Sequence, residues 1–207
     1  LCIYGTGRNQ WMGMKDANGE AINPVVYQAG VAMPLYGINS GVGFTYEYNK
    51  LGYQSGMNFR FDYSYQFTLE NDRKISAGIS LMMNKKTLDM TRLSVLENGD
   101  PLIMFAGKET DWAPDAGIGV MFARKDRYFA GISYINFLGS KADLELVEIP
   151  NQPTFIAQGL YRFGVVKERN RTIDVAPAFL VKSYLEGTQV DLNVLGYFNN
   201  LFWIGGG

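Results

Sequence analysis

A chain of 207 residues with a net charge of −1 and no histidine lacks the commonest general base and metal ligand, and without basic blocks it has no electrostatic case for binding nucleic acid. The single Cys2 excludes an internal disulfide and a cysteine-based metal cluster. A mean hydropathy of −0.09, with no run near the ~18 apolar residues of a membrane helix, excludes a helical membrane protein but not a barrel, whose strands are half polar.

Leu1 to Trp11 reads as a first strand, in which Cys2 is a small buried or lipid-facing residue, with a lipoprotein cysteine as the alternative. A connection rich in turn residues follows, with Asn18-Gly19 its strongest signal. Val25 to Met33 is the second strand. Gly41 to Asn49 is the third, alternating Val42, Phe44, Tyr46 and Tyr48 against Gly43, Thr45, Glu47 and Asn49. Lys50 to Ser55 turns the chain into its most informative stretch, Met57 to Leu69. There Met57, Phe59, Phe61, Tyr63, Tyr65, Phe67 and Leu69 share one parity, and Asn58, Arg60, Asp62, Ser64, Gln66 and Thr68 the other. A strand here has one wholly apolar and one wholly polar face. Soluble strands run roughly 5–6 residues. Thirteen residues at about 3.3 Å each, tilted by roughly 45°, cover the ~30 Å hydrocarbon layer of a bilayer. The aromatic row fits a lipid-facing surface and the polar row a wet lumen; a long strand in a soluble sandwich is the plainer alternative.

Ile75 to Met83 forms the fifth strand after a charged turn, and a long connection is expected from Lys85 to Pro114. Asp115 to Arg124 and Tyr128 to Phe137 flank a tight turn at Lys125-Asp126-Arg127; Leu138 to Pro153 is a second long loop. Thr154 to Val165, Ile173 to Leu185, Val190 to Phe198 and Leu201 to Gly205 complete eleven expected strands. Connections at one end are short and charged, and those after the fifth and seventh strands are long. Bacterial outer-membrane barrels have this asymmetry, with periplasmic turns and longer extracellular loops, which would put Leu1 on the periplasmic side. Such barrels have even strand numbers and no open edges in lipid. Residues 1–207 are therefore expected to form one outer-membrane barrel domain, incomplete at both ends and closed by further strands or a partner chain.

Glu47, Arg60, Asp62, Arg162, Lys182 and Asp191, with Asp174, fall on the polar parity of their strands and are expected to face the lumen. A selectivity ring is one reading, and a lumen lined by mutually compensating charges the plainer one. Nothing in the sequence brings Asp115 and Asp191 together as a catalytic pair. Gly117 and Gly119 relieve crowding in a curved strand better than they form a phosphate loop. The long connection carries Leu102, Phe105 and Trp112 among many apolar residues, so it is expected to pack on the barrel mouth or on another protein.

The ordered set Arg8-Asn9-Gln10-Trp11, then Pro114, Asp115, Gly117 and Gly119, then Gly131 and Ser133, then Asp191, Leu192, Asn193, Phe202, Trp203 and Gly205 resembles the PorP/SprF family of outer-membrane proteins of type IX secretion and gliding in the Bacteroidetes. The resemblance spans nearly the whole chain, without the asparagine-proline segment expected just before Arg8. It implies an antiparallel transmembrane β-barrel of about fourteen strands, without catalytic residues or cofactor. It also implies partners: outer-membrane lipid, the C-terminal domains of secreted cargo or adhesins, and periplasmic secretion or motor components. Trp11 would mark the interface belt, and Arg8 and Gln10 would make lumenal hydrogen bonds.

The expected function is thus a non-enzymatic outer-membrane barrel that docks secreted or surface proteins, with Trp112 and its apolar neighbours as anchors. A small-solute diffusion channel is the alternative, and a soluble sandwich comes third.

Overall fold

The computed structural model describes residues 1–16, 19, 21–89, 91, 107–144, 147–168, 171–199 and 201–207, with the side chains of 167, 168 and 171 excepted. Its strands in chain order are β1 (Cys2–Asn9), β2 (Val25–Leu35), β3 (Ser40–Leu51), β4 (Gln54–Thr68), β5 (Arg73–Asp89), β6 (Lys108–Arg124), β7 (Tyr128–Ile135), β8 (Lys141–Leu144), β9 (Val147–Pro150), β10 (Thr154–Tyr161), β11 (Phe163–Glu168), β12 (Arg171–Tyr184), β13 (Gly187–Phe198) and β14 (Phe202–Gly206). All the ladders are antiparallel. The main sheet follows β1-β2-β3-β4-β5-β6-β7-β10-β12-β13-β14, with β11 also on β12, while β8 and β9 pair only with each other. The path contains the eleven expected strands, and β1 and β14 are its two edges, so the sheet is open here.

The Met57 to Leu69 alternation holds along β4, and its ladders carry both parities across the sheet. One outward row runs Val42, Tyr63, Ile79, Ile118, Tyr134 and Phe155 by direct pairing. Leu81, Val120, Ile132 and Leu192 extend this face, every one of them exposed. Such a continuous exposed apolar face is at home against lipid, not water. Aromatics gather towards its two margins. Near the long-loop end Phe59 lies 5.2 Å from Tyr46 and 6.1 Å from Trp112. Near the short-turn end Tyr65 and Phe67 are 4.8 Å apart, and Phe122, Tyr128, Tyr161 and Phe163 follow one another at 4.5–5.8 Å. Phe59 and Phe67 are about 27 Å apart along β4, or ~20 Å along the normal after tilt, close to the ~25 Å apolar band of a barrel.

Two boundaries differ from expectation. Strands β5 and β6 pair from Arg73↔Arg124 to Asp89↔Lys108, so the connection expected from Lys85 to Pro114 shrinks to 90–107. Hydrophobic alternation stops at Met83 because the strands leave the hydrocarbon there and both faces become polar; the backbone ladder does not need it to continue. The loop expected from Leu138 to Pro153 contains the β8–β9 hairpin. The weak alternation around Leu160 has a local cause: the chain breaks between β10 and β11 at Arg162, and the register slips between Gly164 and Val166.

The strand ends joined by 36–39, 69–72, 125–127, 169–170 and 199–201 lie at one end, and those joined by 10–24, 52–53, 90–107, 136–153 and 185–186 at the other. At the latter end β7, β10, β12 and β13 all stop on one row, Gly117–Ile135–Thr154–Tyr184–Gly187. Strands β1–β6 continue beyond it, and β3–β6 form the overhang beside the inward loop.

Candidate functional site

The inner, polar face carries the candidate site, and its register explains who meets whom. Tyr4, Gly30, Thr45, Arg60, Met82 and Asp115 form one row. The Tyr4 ring lies over Gly30, where a Cβ would come within 2.5 Å of it, and its hydroxyl is 3.0 Å from Thr45 Oγ1. Arg60 Nε donates to Asp62 Oδ2 at 3.1 Å, and Ser80 Oγ donates to Asp62 Oδ1 at 2.5 Å. Arg162 Nε donates to Asp174 Oδ2 at 2.6 Å, with the guanidinium 4.3 Å from the Tyr197 ring centre. A groove of about 540 Å³ crosses β4–β7 and β10 on this face, lined by Arg60, Asp62, Ser64, Ser80, Ser133 and Gln158 among others.

The most deeply buried cluster among the described residues lies under the overhang. The 136–153 connection turns inward, and its β8–β9 hairpin packs on the inner face of β5 and β6, burying Ala113, Ala142 and Leu144 almost completely. Asp115, itself buried, is the hub. Its Oδ1 accepts from Ala116 N at 2.8 Å and Leu138 N at 3.1 Å, and its Oδ2 accepts from Asn151 Nδ2 at 3.2 Å. A buried carboxylate is tolerable only when its lone pairs are met in this way. Asp143 N donates to Asp111 Oδ2 at 2.8 Å, and Lys86 Nζ donates to Pro150 O at 3.1 Å. Across the hairpin Lys141 Nζ lies 2.6 Å from Glu148 Oε2; that hydrogen bond and the carboxylate's charge raise the ammonium's pKa.

Glu47, Arg60, Asp62, Arg162, Lys182 and Asp191 all take the inner parity through the ladders. They are spread over its length and make no ring: Arg60 pairs with Asp62, Arg162 with Asp174, and Asp191 accepts from Gln189 at 2.9 and 3.1 Å. The row of Asp191 reaches β6 at Met121, so Asp115 and Asp191 do not meet. Pro114 faces outward, whereas Gly117 and Gly119 face inward, where a Cβ would press on β7 at 3.2 Å from Ile135 and Ser133. Arg8 is exposed on the inner parity. Asn9 accepts from Asn23 Nδ2 at 2.5 Å, Gln10 N donates to Pro24 O, and Trp11 sits beyond β1 in a left-handed turn with φ 49°. Leu102 and Phe105 lie outside the described residues. Trp112, expected in the long loop as an anchor, is instead a strand residue of the outward face, stacked on Phe59 with Lys85 Nζ 5.4 Å above its ring. Among the described residues, no three acidic or cysteine side chains converge to hold a metal.

Sequence reasoning missed Asn151, which ties the hairpin to Ala113 O and Asp115. A buried amide between two prolines in an aperiodic stretch leaves no pattern to read. No curated protein matches the chain. A family model described as type IX secretion system membrane protein PorP/SprF matches residues 1–207. With an all-antiparallel sheet, an exposed apolar belt between aromatic margins and that match over its full length, the chain belongs to the PorP/SprF family of type IX secretion system membrane proteins.

Proposed function

We propose that this type IX secretion component works in the outer membrane as a non-enzymatic docking site, holding a secreted or surface protein at its long-loop end. The observation that carries the reading is the inward-folded 136–153 connection, which covers the overhang's inner face and turns one end of the sheet into a built surface. The short turns at 69–72 and 125–127 would face periplasmic components of the machinery. Trp112 belongs to the lipid margin in this reading, and Leu102 and Phe105 remain the proposed contacts with cargo. The test is native extraction in mild detergent followed by mass spectrometry of what stays bound after size separation. A stoichiometric secreted protein that is lost from a folded Leu102→Ala/Phe105→Ala variant is the expected result. Full retention by that variant would remove the loop from the mechanism.

A second reading, passage of small solutes, draws on the groove along the polar face. It predicts a conductance in planar bilayers that changes in Arg60→Ala; a silent bilayer rejects it.

A further inference from the structure

Beside the hairpin, on the inner face of the overhang, lies a recess of about 280 Å³. Its floor is a grid of two rows. Glu47, Asn58 and Asn84 are directly paired in the first, and Asn49, Gly56 and Lys86 in the second. Neighbours in such rows stand about 5 Å apart, with about 7 Å between rows. Gly56 makes room for the Asn49 amide to lie across the floor, because a Cβ there would come within 2.7 Å of Asn49 Oδ1. The wall is Asn136, Asn151 and Gln152 of the inward loop, held by Asn136 Nδ2 donating to Gln152 O and by Lys86 donating to Pro150 O. Asn58 donates to Asn84 Oδ1, which leaves Asn84 Nδ2 buried without a hydrogen-bond partner. A buried donor left unmet is costly, and here it belongs to a lining residue of the recess, where a small turn of the Asn84 amide would bring it to an acceptor.

We propose that this recess binds a neutral sugar ring. Side-chain amides each donate and accept, as vicinal hydroxyls do, and the one carboxylate and one ammonium of the floor balance, so neither an anion nor a cation is favoured. A peptide would want a free strand edge or apolar side-chain pockets, and this floor is the polar side-chain surface of strands already paired on both sides. A ring touching both floor and wall would also clamp the 136–153 loop against the overhang.

The test uses the full chain in lipid nanodiscs, with saturation-transfer NMR against methyl mannoside, methyl galactoside and N-acetylglucosamine. Saturable transfer to at least one sugar is expected, weakened about tenfold in Asn58→Ala/Asn84→Ala, the loss of one or two neutral hydrogen bonds. Gly56→Ala, which pushes the Asn49 amide out of its place in the floor, should weaken it as well, and Thr68→Ala, at the far end of β4, should not. Competition by delipidated surface polysaccharide that beats the monosaccharide identifies a polymer-borne sugar as the ligand; equal displacement by unrelated oligosaccharides identifies free sugar. Absence of transfer to all three probes, or transfer unchanged in both recess variants, overturns the proposal.

Discussion

Asp115 shows how one side chain on a lipid-spanning strand can be spent on a loop. Replacing it with Ala leaves Leu138 N without its acceptor and Asn151 Nδ2 with Ala113 O alone, at ~1–3 kcal/mol for the unmet amide. The expected outcome is release of the hairpin while the sheet stays folded, seen as faster hydrogen exchange at 138–151 with unchanged exchange in β4 and β5. Gly117→Val is expected to act differently, since its Cβ would press on Ile135 and the Tyr134 carbonyl across the β6–β7 ladder. It should destabilise the sheet itself by ~1–3 kcal/mol, read as a lower unfolding temperature in detergent. Trp112→Ala removes a stack on Phe59 and the ring beneath Lys85, worth ~1 kcal/mol at this exposure. It should leave cargo retention intact, in contrast to Leu102→Ala/Phe105→Ala.

At the level of elements, the hairpin and the strands it covers obey different rules. The Lys141–Glu148 pair spans β8 and β9 in the open. Because the folded state raises the lysine's pKa above its ordinary 10.5, the pair's contribution is fully present below that value and is lost only as pH rises through the raised one. The pair's contribution, read as the difference in hairpin exchange between the chain and a Lys141→Met variant, should therefore be flat from about pH 6 to about pH 9 and fall only above the ordinary lysine range. Strand β4 was legible in advance since each residue from Met57 to Leu69 answers to one of two solvents, lipid or water. The upper halves of β5 and β6 were not, because from Asn84 to Asp89 the inner face is covered by a polar loop and the outer face carries polar side chains, so side-chain polarity stops reporting the backbone. The same holds for the site. Parity alone assigned Arg60, Asp62 and Asp191 to the inner face, whereas the placement of Asn151 and of the recess beneath it depends on how a loop folds back, which no periodicity encodes.

For the whole molecule, the hairpin gives a test between the docking and passage readings proposed above. Replacing 141–150 with a short glycine-serine linker removes what covers the overhang, so any conductance in planar bilayers should rise, while binding of a docked protein should fall. The ends of the strands carry a further consequence. Where β7, β10, β12 and β13 stop together and β1–β6 run on, the strand ends step, in the register of the ladders, from a doorstep at 185–186 to a parapet on β1–β6. A protein docked as proposed would enter over the doorstep and lean against the parapet. A photo-crosslinker carried at Glu186 should then catch a passing guest early and briefly, and one carried at Glu109 should catch it late and for long.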